Sequence, residues 1–137
     1  MKSLKYALLL TVAFCASTVA ESRFSRDEQL NVIVTHSSAV VAAIACKNVL
    51  DDGETQLNNT ISSARTAILN ATNDEAYTND VISNIVTSIN SSEPAKHLLA
   101  EFDAVKANNE MRQQKCGQLL AGNKHRATEL DLLYGLK

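Results

Sequence analysis

Glu93, His97 and Glu101 stand at i, i+4 and i+8, so on a helix they share one face and offer two carboxylates and an imidazole to a metal. The same spacing is what i,i+4 ion pairing gives on a solvated helix. No second His, Cys or Asp cluster supplies the missing ligands, so no metal site is expected. His36 sits beside an apolar face and His125 in a basic run, positions for structural or solvated imidazoles. There is no Gly-x-Ser-x-Gly elbow for a nucleophile, and Gly53, Gly117, Gly122 and Gly135 are too isolated to cradle a phosphate. A non-enzymatic protein with no cofactor is expected.

The remaining chemistry belongs to cysteine, asparagine and lysine. Lys2 and Lys5 precede the apolar run Tyr6 to Cys15, and the small residues Ala16-Ser17-Thr18-Val19-Ala20 follow, the pattern of a cleaved secretory leader. Residues 1–20 are therefore expected to leave, and residues 21–137 to form a single extracellular domain. The run is about half the ~20 apolar residues a membrane span needs. Cys15 departs with the leader, so Cys46 and Cys116 remain in an oxidising compartment, where one disulfide is the natural assignment and two free or intermolecular thiols the alternative. Asn58, Asn70 and Asn90 head acceptor sequons for glycosylation.

Charge is uneven. Residues 21–105 hold 5 basic and 12 acidic side chains, whereas residues 106–137 hold 6 basic and 3 acidic. Lys115, Lys124 and Arg126 flank the apolar Leu119-Leu120 step and are candidates to meet an anionic head group or membrane surface, against the plainer reading of a solvated helix face. The overall acidity of the chain argues against a nucleic-acid partner, and few aromatic rings are present to stack on bases.

These residues need helices to hold them. One proline, four glycines and several stripes at 3,4 spacing predict an all-α protein, a small antiparallel bundle of four to five helices. Ser25-Arg26-Asp27-Glu28 is a capping box opening a helix apolar almost all round, hence central, that should end at a left-handed Gly53. Leu57, Ile61, Ala64 and Ile68 mark a second helix. Thr72-Asn73-Asp74-Glu75 reads as a capping box for a third, striped by Val81, Ile82, Ile85, Val86 and Ile89. Past Pro94 the stripe Leu98, Phe102, Val105 is broken at Asn109 and Arg112 and resumes at Cys116, Leu119 and Leu120. Gly122-Asn123 is expected to close that segment before a last short amphipathic piece with a frayed end. A single descending fourth helix would carry Cys116 about 33 Å from its top, out of reach of Cys46. A Cys46–Cys116 bond therefore needs either a chain reversal at Asn108-Asn109, which keeps the helices near ordinary lengths, or a second and third helix running on as one.

The leader, the Ala/Val/Ile-rich helices, the sequons and the two remaining cysteines together resemble the small secreted helical proteins of insect body fluid, some of which bind lipids. The resemblance implies a helical carrier in extracellular fluid. Its ligand is expected to be apolar or amphiphilic, a lipid above all, lined by residues such as Val41, Ile44, Ile85, Phe102 and Leu119. The rival expectation is a protein-interaction or signalling factor of immune or reproductive fluid with a closed core.

Overall fold

The computed structural model describes residues 22–92 and 94–136; the expected leader, residues 1–20, lies outside them. The fold is all-helical: α1 (Arg26–Cys46), α2 (Gly53–Thr72), α3 (Glu75–Ser92), α4 (Pro94–Ala104) and α5 (Asn109–Tyr134). The other four helices all pack on α1. By length and composition α1 is apolar enough to cross a membrane, and half of that apolar window is buried inside the bundle. Its near-uniform apolarity is what a helix surrounded by neighbours requires.

Local chemistry sets the ends. The Ser25 hydroxyl accepts from the Glu28 amide at 3.1 Å and the Glu28 carboxylate accepts from the Ser25 amide at 3.0 Å, so the first capping box forms as read. The second does not. Asp74 is the cap, its carboxylate accepting from the Tyr77 amide at 2.9 Å, while the Thr72 hydroxyl donates back to Ile68. Gly53 is no left-handed terminator either; it is the first residue of α2, and a Cβ there would lie 1.9 Å from the Lys47 carbonyl oxygen. Glycine is needed for this close approach of the turn rather than for its dihedral freedom.

The chain does reverse between Ala104 and Asn109. Lys106 adopts φ 53°, and the amides of Lys106 and Ala107 donate to the Asp103 and Phe102 carbonyls, a Schellman arrangement. Asn108 then caps α5, accepting from the Met111 amide at 2.9 Å. This turn leaves Val105 exposed and sends Ala107 into the core in its place. Arg112, which breaks the apolar stripe, clamps the turn: it donates to the Ala107 carbonyl and the Asp103 carboxylate and lies over the Phe102 ring. Gly122 does not end the helix. From Asn109, α5 runs through it for 26 residues to Tyr134.

Two apolar cores result. The larger joins α1, α2 and α3 through Val32, Val40, Ala64, Ile68 and Ile82. The smaller sits at the other end around Leu98, Phe102 and the Cys46–Cys116 disulfide, whose Cα atoms are 5.6 Å apart. The end of α5 is fixed rather than frayed as far as Leu136. Gly135 takes φ 64°, the Leu136 amide donates to the Asp131 carbonyl, and the Leu136 side chain enters the larger core.

Candidate functional site: a groove over a buried imidazole–carboxylate pair

His36 and Asp131 meet 95 residues apart in sequence, the His36 Nε2–H donating to Asp131 Oδ1 at 2.8 Å. Both residues are almost wholly buried, 2% and 3% exposed. The pair exists because α1 and α5 are antiparallel, pinned at one end by the disulfide and at the other by the Asn31 amide donating to the Tyr134 hydroxyl. The carbonyl of Asp131 is held by the terminal Schellman turn while its carboxylate turns onto α1. A buried carboxylate without such a donor would be costly.

The pair lines a groove of about 480 Å³ between α2 and α5, with α1 as its floor. On the α2 side stand Gln56, Asn59, Thr60 and Ser63, one stripe at i, i+3, i+4, i+7. On the α5 side stand Gly117, Leu120, Ala121, Lys124 and Thr128, leading to Asp131. His36 and Ala39 form the floor, and Leu50 and Asp52 close the disulfide end. From Gly117 to Asp131 the α5 wall is about 21 Å long. Small residues make the space: an alanine, serine or glycine stands where a leucine would bring the helices into contact. The Gln56 amide donates to the Asp52 carboxylate and the Thr60 hydroxyl to the Gln56 carbonyl, whereas Asn59 and Ser63 make no side-chain hydrogen bond among the described residues.

The three basic candidates separate. Lys124 lines the groove; Arg126 lies on another face of α5, in a shallow cleft with Val34, Leu130 and Leu133, and bonds the Asn123 side chain; Lys115 lines neither. The apolar lining candidates do not share a space. Ile44 and Ile85 pack on the larger core, Phe102 and Leu119 belong to the smaller, and Val41 is half-buried on α1. Of the sequons, Asn58 is exposed beside the groove, and Asn70 donates its side-chain amide to the Leu136 carbonyl at 2.8 Å. The side chain of Asn90 lies outside the described residues, as does Glu93. His97 and Glu101 are exposed, and no group of three metal-binding side chains occurs among the described residues. His125 faces Glu129 at 3.2 Å on the solvated side of α5.

Sequence reasoning did not find the groove. Its one signal was Asp131, a carboxylate four residues after Ala127 on the buried stripe of α5, where an acidic residue demands a partner. The partner's identity depends on the α1–α5 register, which only the fold supplies. No protein-family model, curated protein or solved structure matches this chain, so its functional reading rests on the groove itself.

Proposed function

We propose that this is a secreted, non-enzymatic carrier of a small amphiphilic ligand, of lipid-like chemistry, held in the groove between α2 and α5. The observation that carries the reading is the groove, about 480 Å³ in volume with the His36–Asp131 pair at its base. That volume is within the ordinary range for small-molecule sites, which combine apolar lining with a few fixed polar groups. Leu50, Leu120 and Ala121 supply apolar area, worth about 0.8 kcal/mol per ligand CH₂ removed from water. Lys124 is the one basic candidate positioned to meet an anionic group of the ligand. Secretion, the extracellular setting and glycan attachment at Asn58 belong to the same proposal and rest on the leader and sequon patterns.

A second reading, a protein-interaction factor, is favoured by one feature: Val34 and Leu133 are 60% and 77% exposed in the cleft beside Arg126. Native mass spectrometry of protein purified from a secretory host separates the two. A co-purified small-molecule mass that leaves on unfolding supports the carrier. Bare protein from such a host, with no uptake of added lipid, leaves the interaction factor.

A further inference from the structure

In the half of the groove nearer the disulfide the chemistry divides wall against wall, whereas farther along α5 the wall carries Lys124, Thr128 and Asp131. The α2 side chains on the groove, Gln56, Asn59, Thr60 and Ser63, are all neutral hydrogen-bonding groups and cover about 10 Å of its length, with the Asp52 carboxylate just before them at the disulfide end. Facing them near the disulfide, α5 presents only Gly117, Leu120 and Ala121. An amphiphile with one polar head and a flexible chain fits an end-to-end division. Laid here, its methylenes would cover the Asn59 amide and the Ser63 hydroxyl, neither of which has another side-chain partner among the described residues, and would strip them of water without replacing the hydrogen bonds.

We infer that the ligand is a facial amphiphile: a rigid, elongated hydrocarbon skeleton with hydroxyl groups along one face, as in a hydroxylated sterol acid. Its hydroxylated face lies on the α2 stripe, and its hydrocarbon face lies on Gly117, Leu120 and Ala121. An acidic end group meets Lys124, and the His36–Asp131 pair closes the far end of the groove with polar atoms already held in place. Rigidity suits a preformed groove because little ligand freedom is lost on binding. This inference rests on the carrier reading and sharpens it to a ligand class.

The test is calorimetric titration of the disulfide-bonded protein with cholate and with palmitate, both below their micellar concentrations. The two probes carry the same carboxylate and differ in where their polarity lies. Cholate is expected to bind about tenfold more tightly than palmitate, a difference of about two hydrogen bonds. The Asn59→Leu/Ser63→Val variant, changed only at exposed positions of α2, is expected to reverse that order while its unfolding midpoint stays near that of the parent. Equal or tighter binding of palmitate by the parent overturns the inference, and so does cholate binding indifferent to the double substitution. Tight palmitate binding that Gly117→Phe abolishes removes the facial ligand alone and leaves the carrier standing. Binding of neither probe also overturns the inference, and the co-purified mass described above then decides the carrier reading separately.

Discussion

Asp131 is a carboxylate where a helix tolerates it least, in the last turn of α5 at the negative end of the helix dipole, and it is buried as well. It persists because His36 donates to it and because Gly135, in the left-handed region, lets the Schellman turn fix its backbone. Removing one partner leaves the other buried and unpaired. Asp131→Ala is therefore expected to lower the free energy of unfolding by about 3 kcal/mol, read from denaturant curves. Replacing both residues by leucine is expected to cost less than the sum of the two single changes, since no orphaned polar group remains. Additive single and double effects would show that the contact contributes little. At this scale the sequence was half legible: His36 could be placed beside a buried face, but its partner could not be named, because a contact spanning 95 residues leaves no local pattern.

Helix ends follow the same logic one level up. Where a cap is a local exchange of hydrogen bonds, as at Ser25 and Glu28, the four residues alone specify it. Where tertiary geometry intervenes, the pattern misleads. Thr72 matches the capping-box spacing, yet its hydroxyl is turned inward to Ile68, and Gly53 is chosen by the Lys47 carbonyl rather than by a left-handed cap. Lys106 shows the reverse case, a left-handed position without the residue type that signals it. Lys106→Gly is expected to raise stability by about 1 kcal/mol by removing the Cβ penalty at that position. A loss of stability in thermal unfolding would mean that the lysine side chain supports the turn. Gly117 and Gly122 offer a second measurement. Both lie inside α5, and a Cβ at either meets nothing within 4 Å, so Gly117→Ala and Gly122→Ala should each gain about 0.5–1 kcal/mol in helix propensity.

For the whole molecule, one covalent tie and one gap matter most. The disulfide spans 70 residues and joins the end of the central helix to α5; in the chain-entropy treatment a loop of that size constrains the unfolded chain by about 4 kcal/mol. Cys46→Ser/Cys116→Ser is expected to lose a comparable amount of stability while keeping a helical far-ultraviolet spectrum, and an unchanged unfolding midpoint would contradict this. The bond was legible because only two cysteines outlast the expected leader, and the reversal at Asn108 was one of two layouts its reach allowed, the one that keeps the helices near ordinary lengths. The groove was not, since it arises where α2 and α5 flank α1 without closing on each other, a property of packing that no stripe encodes. Gly117 lines that groove and Gly122 does not, although both tolerate a side chain. The most direct measurement is therefore the ligand occupancy, by native mass spectrometry, of parent, Gly117→Phe and Gly122→Phe proteins from the same secretory host. The expected result is a bound small molecule on the parent and on Gly122→Phe, and its loss from Gly117→Phe with the fold intact. Equal occupancy of all three proteins, or an empty parent, would contradict a carrier whose ligand lies between α2 and α5.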